Sequence, residues 1–253
     1  MILAVMQPTY IPWLGYFDLI NSADQFLFLD DVKLEKSDWH VRNKIKGNQG
    51  EIMLSQVVSM PNGRMGSVIC DTEFKEKHPW RKKHLKAIEM NYRKAPFFDS
   101  IFGVIQQHFL HECNNLADFN IGLIQVFLKS LEIHTSVRRS SKLPEIGGVK
   151  DERLANFCDF FRSDKYLSPR GASAYIERYS PGGQLAKSGV EVLYQQFEHP
   201  KYQQCYPPFV SHLGVLDALM NLGADQTKQL IESGHRQPLH YRELYTLNSR
   251  GLI

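Results

Sequence analysis

The 253-residue sequence has no apolar run approaching the roughly 18 residues that span a bilayer, and its opening, Met-Ile-Leu-Ala-Val-Met-Gln-Pro, lacks the basic flank of a secretory signal. A cytoplasmic protein is the expectation. Cysteines are few: Cys70, Cys113, Cys158 and Cys205 form no Cys-x-x-Cys pair, so neither a zinc site nor a disulfide framework is indicated and free structural thiols are expected. There is no internal repeat and no low-complexity linker. A charge excess is also missing, because the formal net charge is only +3; nucleic acid is neither required nor excluded as a partner. The cluster Arg81-Lys82-Lys83 fits a solvated helix face as well as an RNA contact. What is present, 43% hydrophobic and 23% charged residues, suits a soluble globular core.

Residues 2–6 form a continuous apolar run of the kind found in buried strands. Trp13, Leu14, Phe17 and Ile20 then recur at helical spacing, and Gln25 to Leu29 reads as a second strand. Strand, helix and strand within about thirty residues is a βαβ unit with parallel strands. That places Gln7 to Trp13 and Asp30-Asp31 beyond the C-terminal ends of the strands, where open α/β sheets bind ligands. Pro8 and Pro12 stiffen this loop, Pro12 near the first helical position, and Gly15 permits close approach. Trp13 and Phe17 read as packing residues. Gln7, Tyr10 and Tyr16 are candidate ligand contacts, being polar or amphipathic groups at a binding edge.

Arg42, Asn43 and Lys44 offer forked, amide and point-charge donors in succession, a set suited to phosphate or carboxylate unless it forms a surface turn. Strand-like text follows at residues 52–58, then a turn at Pro61-Asn62 and another strand at 67–70. From Pro79 to Leu131 the pattern is helical. Trp80, His84, Ile88 and Tyr92 fall four apart on one face, so His84 is either a hydrogen-bonded core histidine or a ligand contact.

The α/β alternation resumes with a strand at residues 134–142, a helix carrying Leu154, Phe157, Cys158 and Phe161 on one face, and a strand at Lys165–Ser168. Gly147-Gly148 with Lys150 and Arg153 could cradle a phosphate, while Asp151 and Glu152 suit the helix dipole without one. After a strand at Val190–Tyr194, a helix is expected from an N-cap at Ser211 through Leu213, Leu216, Asp217 and Met220 to a closing Gly223. Asp217 lies inside that apolar stripe and needs partners. It either anchors a loop or belongs to a site.

Several of these stretches resemble, in order along nearly the whole chain, the blocks of the WbqC-like protein family: Gln7-Pro-Thr-Tyr-Ile-Pro-Trp-Leu-Gly-Tyr-Phe17, Arg42-Asn43, Trp80 with His84 and Tyr92, Gly148 to Leu154, Tyr166-Leu-Ser168, and His199-Pro-Lys-Tyr-Gln203 leading to Leu216-Asp217. Where the family pattern leads one to expect a glycine after Tyr-Leu-Ser, this chain has Pro169-Arg170. The resemblance implies a place among genes for O-antigen and other surface polysaccharides, and transfer of an acyl or aminoacyl group, such as glycyl, to an amino sugar. The N-terminal architecture is also similar to nucleotidyltransferases and pantothenate-synthetase-like ligases. Those carry His-x-Gly-His where this chain has Trp13-Leu-Gly-Tyr16, which weakens adenylyl transfer more than the fold analogy.

The expected fold is therefore α/β: a mainly parallel, Rossmann-like, nucleotidyltransferase-like sheet built from both ends of one domain, with residues 72–131 as a helical insertion or cap. The leading function is an acyl or aminoacyl transferase acting on a nucleotide-linked amino sugar. Its donor is open between aminoacyl-tRNA, acyl-CoA and a free amino acid with ATP. His199 or His84 would be the general base, since an ordinary imidazole can accept an amine proton near neutral pH. Gln7, Tyr10, Tyr16, Arg42, Asn43, Lys150, Arg153, Ser168, Tyr202 and Asp217 would contact substrate. The alternatives are an ATP-using ligase or nucleotidyltransferase, and a non-catalytic nucleotide-sugar binding protein. No metal ligand set is expected.

Overall fold

The computed structural model describes residues 1–34, 39–59, 63–75 and 77–249; Ser37, Asp38 and the expected turn residues Pro61 and Asn62 lie outside them. Its strands are β1 (Ile2–Met6), β2 (Gln25–Phe28), β3 (Arg42–Gly47), β4 (Gly50–Ser55), β5 (Val58–Ser59), β6 (Glu73–Phe74), β7 (Ser136–Arg139), β8 (Lys165–Ser168), β9 (Glu191–Phe197) and β10 (His235–His240). Six form the central sheet in the order β10-β9-β8-β1-β2-β7. Both βαβ units inferred from the sequence thus join one sheet. Every neighbouring pair is parallel except β9 and β10. Pro238 has no N–H for the ladder, and the β9–β10 register shifts between Arg236 and Leu239, as expected for proline on an edge strand.

Alternation along the central strands divides the core in two. Ala4, Phe26, Phe28 and Leu167 face one apolar cluster, while Leu3, Val5, Leu27 and Tyr166 face the other. The first face is covered by helices at Leu14–Asn21, Trp80–Tyr92, Phe98–Leu110, Leu116–Ser130 and Val215–Gly234. The second is covered by helices at Asp151–Phe161 and Gly183–Lys187, with Leu244 from the C-terminal helix Tyr241–Ser249. Apolar residues on both faces of β1 explain why its sequence reads as a continuous run rather than an alternation. Among the described residues, no helix is long and apolar enough to cross a membrane.

Several expected boundaries are corrected. The strand at 134–142 ends at Arg139, because Ser140 and Ser141 turn to hydrogen-bond Asp30. Residues 69–71 form a 3-10 turn rather than a strand, and the run at 52–58 splits into β4 and β5. Arg42-Asn43-Lys44 begins the β3–β4 hairpin and is no surface turn. The helix expected from Ser211 starts at Val215 on a Gly214 N-cap with no side-chain cap. It does not stop at Gly223: that glycine takes φ 77° inside it, producing a kink, and the helix continues to Gly234. A Cβ on Gly223 would sit 2.7 Å from the Phe97 ring, so the kink lets the Phe97 segment pack there.

Candidate functional site

The loop after β1 is held at four of its carbonyls. Asn43 Nδ2 donates to Tyr10 O (3.0 Å) and Ile11 O (2.6 Å), Asn120 Nδ2 donates to Pro8 O (3.3 Å), and Val215 N–H donates to Pro12 O (2.7 Å). These bonds hold Ile11 at φ 45°, a conformation that a β-branched residue adopts only when its surroundings over-determine it. Trp13 follows and folds back over the helix it caps. Gly15 makes that possible, since a Cβ there would lie 2.3–2.8 Å from three indole atoms.

Trp13 and Met6 are shared walls of two cavities at the C-terminal edge of the sheet. The larger, about 530 Å³, lies where the chain order of the parallel strands reverses, between β1 and β8, and extends to β9. Its polar lining is Gln7, Arg170, Tyr175, Gln195 and Gln196. Tyr16 donates to the Gln7 carbonyl (2.9 Å), and Gln195 Nε2 ties β9 to Gly15 O (2.7 Å) and Asp18 Oδ2 (2.6 Å). Arg170 donates to Gln196 Oε1 (2.9 Å). Gln196 Nε2 is buried without a partner among the described residues. A buried donor left unpaired costs about 1–3 kcal/mol, so a ligand acceptor meeting this amide would be favoured.

The smaller cavity, about 220 Å³, is lined by Thr9, Pro12, Tyr16, Trp39, Asn43 and His212 besides the shared pair. His212 sits at φ 58°, with its ring 5.1 Å from Trp13 and 4.6 Å from His199. Its ring makes no hydrogen bond among the described residues, whereas its backbone N–H donates to His199 Nε2 (3.1 Å).

The residues singled out from sequence fall in different places. Gln7 lines the larger cavity, and Tyr16 and Asn43 line the smaller. Tyr10 and His84 are buried and bonded to each other (2.8 Å), with His84 Nε2 3.2 Å from Ser55 O. Burial pulls the His84 pKa down to about 4. His199 is held below the usual histidine range by burial and by His212; its Nδ1 lies 3.0 Å from Pro200 O. With Nε2 accepting from His212, the lone pair a general base needs is occupied.

Arg42 is half-buried, with its Nε unpartnered among the described residues, and lines neither cavity. Arg153 forms a forked pair with both Asp31 oxygens (3.1 and 2.6 Å). Ser168 is buried and bonds Pro169 O. Lys150 is exposed and lines a separate surface depression. Tyr202 donates to Asp217 Oδ2 (2.7 Å), and Tyr92 to Oδ1 (2.7 Å), in a buried network. No group of residues able to hold a metal occurs among the described residues.

Sequence reasoning missed Arg170, Gln195, Gln196 and His212 as lining residues. A signal existed for the glutamines, two adjacent amides at the end of a strand, and for Arg170 in its departure from the family pattern. For His212 there was none, because the fold brings it to Trp13 across about two hundred residues.

Gly15→Ala is expected to push the indole of Trp13 out of place, disturbing both cavities together and destabilising the fold by about 1–3 kcal/mol. Tryptophan fluorescence and thermal melting would check this, and a variant with the wild-type spectrum and Tm would contradict the role given to Gly15.

The WbqC-like protein family model matches residues 7–229. An uncharacterized protein of Mycobacterium tuberculosis is 32% identical over 224 residues, covering 88% of this chain and 94% of its own length. No solved structure matches significantly.

Proposed function

We propose a function from the premise that the chain belongs to the WbqC-like protein family: it transfers an acyl or aminoacyl group to a nucleotide-linked amino sugar in surface-polysaccharide synthesis. The observation that carries this reading is the pair of cavities sharing Trp13 and Met6 as a wall. A transferase must hold two reactants with their reacting atoms close, and two adjoining cavities of unlike chemistry provide that arrangement. The strand order, with the cleft at its reversal, supports a Rossmann-like, doubly wound reading of the sheet, whose ligands bind at that point.

In the proposal, the nucleotide sugar occupies the larger cleft. Arg170 takes its diphosphate, Gln7 and Gln196 take hydroxyl or carbonyl groups, and Trp13 supplies a flat apolar face. The smaller cavity takes the acyl group of an activated ester or thioester. The sugar nitrogen attacks the acyl carbonyl carbon, the C–N bond forms as the C–O or C–S bond breaks, and the amine proton passes to the His212 ring and on to the leaving group. His212 replaces His199 as the favoured base because His199 Nε2 already accepts a hydrogen bond.

One observation favours the second reading, a non-catalytic nucleotide-sugar binder: the larger cleft is lined by no Asp, Glu, His or Lys among the described residues. A UDP-linked amino sugar should raise the Tm of the wild-type protein by several degrees. With an acyl thioester present, mass spectrometry should show N-acylated sugar for wild type and at least a hundredfold slower formation for His212→Gln. Stabilisation without product would favour the binder, and no stabilisation at millimolar ligand would remove both readings.

A further inference from the structure

A third cavity, about 790 Å³, shares no lining residue with these two and opens between described residues of the segments 74–82 and 109–114. Its rim is basic: Lys75, Lys77, His78, Lys82 and His111 line it, against Glu112 as the one acidic residue of the described lining. Arg81 forms part of its wall, held in place by donating to Phe109 O (3.2 Å) and Cys113 O and by lying 4.7–5.1 Å from the rings of Phe119, Trp80 and Phe74. Lys75, Lys77 and Lys82 have no carboxylate partner among the described residues.

The basic surface does not end at the cavity. Lys83 and Lys86 are exposed along the same helix and Arg93 and Lys94 just beyond it, interrupted by Glu89. Thirteen helical residues rise about 20 Å, so the track is longer than the diphosphate of one nucleotide. Its cations outnumber its acids by more than the +3 of the entire chain, which leaves the rest of the protein acidic in balance. This is a concentrated positive field and not an overall basic composition.

We infer that this groove and helix face bind the phosphodiester backbone of a nucleic acid without reading its bases. A run of exposed lysines with no carboxylate partner among the described residues complements the repeated charge of a phosphodiester backbone. The aromatic floor, Phe74 at 4% and Trp80 at 2% exposure, is buried and offers no face on which bases could stack. The surface is concave at one end, and the exposed apolar side chains beside the lysines, Met90 on the helix and Leu110 in the groove, are too few to form the apolar stripe of an amphipathic helix lying on a membrane. The inference stands on residues outside both cavities of the proposed active site and does not depend on that reading.

The test is fluorescence anisotropy with a labelled 20-base-pair RNA duplex of arbitrary sequence in 50 mM salt. Binding should be tight enough to measure at 50 mM salt and weaken steeply as salt rises, reaching a Kd of roughly 10⁻⁶–10⁻⁴ M near physiological ionic strength. The triple variant Lys77→Glu, Lys82→Glu, Lys86→Glu should bind at least about tenfold more weakly with a slope in log salt reduced by about two to three. Its Tm should match wild type, since all three side chains point to solvent or line the open groove. Absence of binding by the wild-type protein would overturn the inference, as would an unchanged affinity and slope in the triple variant. Strong preference for one base sequence, or retention on phosphatidylglycerol vesicles without binding to the duplex, would overturn it too.

Discussion

Asp217→Ala is expected to destabilise the protein by about 3–5 kcal/mol, because it removes the acceptor from a network that water cannot replace. Asp217 is completely buried, and its two oxygens accept from Tyr92 (2.7 Å), Tyr202 (2.7 Å) and Gln204 (2.9 Å). Lys46, also completely buried, donates from Nζ to Pro208 O (2.5 Å) and adds its positive charge to the surroundings of Asp217. The Lys46 backbone N–H donates to the Tyr92 hydroxyl (2.8 Å), so β3, the helix Trp80–Tyr92, the irregular segment 199–212 and the helix Val215–Gly234 meet at one carboxylate. With alanine there, three neutral donors lose their acceptor and a buried ammonium loses its countercharge. For a chain of this size the loss corresponds to a Tm lower by roughly 6–20 °C. Tyr92→Phe, which deletes one hydroxyl, should cost about 1–2 kcal/mol. An alanine variant that melts with wild type would show that the network holds nothing together.

The pH dependence of the same residue has an unusual sign. Burial raises the Asp217 pKa above the ordinary 3.8, partly opposed by the donors around it. The folded protein therefore binds this proton more tightly than the unfolded chain. Its contribution to stability is full below pH 3.8 and is lost as pH rises through the raised folded value. Asp217→Asn cannot ionise. Comparing denaturant unfolding of wild type and this variant, the balance should shift toward the variant as pH increases across that window.

Arg170→Glu is expected to weaken binding of a UDP-linked amino sugar by a hundredfold or more. Arg170 is the one Lys or Arg lining the larger cleft among the described residues, is exposed, and is oriented by Gln196. Two charge-assisted bonds to a diphosphate would contribute about 1.5–3 kcal/mol each, and a glutamate would add repulsion. Arg170→Lys keeps the charge without the fork and should fall between. Because the side chain is exposed, the Tm without ligand should stay within a degree or two of wild type. Isothermal titration calorimetry reads the result directly, and an unchanged Kd for the glutamate variant would mean that the anion does not bind in this cleft.

Much of the central sheet is legible in the sequence. The apolar runs at Ile2–Met6 and Phe26–Leu29, with one short helical stripe between them, mark strands buried on both faces and the parallel pairing that follows. The second unit was legible for a different reason: alternation over residues 134–142, then the helical stripe of Leu154, Phe157, Cys158 and Phe161. Elements stabilised mainly by edge pairing were not: β10 contains Pro238 and little apolar text, and it exists because β9 supplies its partner. Arg42-Asn43-Lys44 read as a donor cluster or a turn because its pairing with Leu54 and Met53 across the β3–β4 hairpin left no clear alternation in its own residues.

The candidate site was legible only by location. Of the residues expected beyond the strand ends, Gln7 lines the larger cleft. What each polar group does there was decided by partners far away in the chain. Arg153 is paired with Asp31 across 122 positions, and Tyr10 with His84 across 74. The charged residues of the helix Trp80–Tyr92 illustrate the opposite case: their identity was plain in the sequence, but whether they formed a scattered solvated face or one track leading into a groove depended on how that helix packs beside residues 109–114.

The sequence by itself determined that the segments of β1 and β2 are buried on two sides, and so their parallel pairing, because periodicity records the burial of a single element. Only the tertiary structure decided which polar side chains are free to act. A donor is occupied or available according to whether another element delivers an acceptor within about 3 Å, and nothing local to Arg153, His199 or Gln196 carries that information.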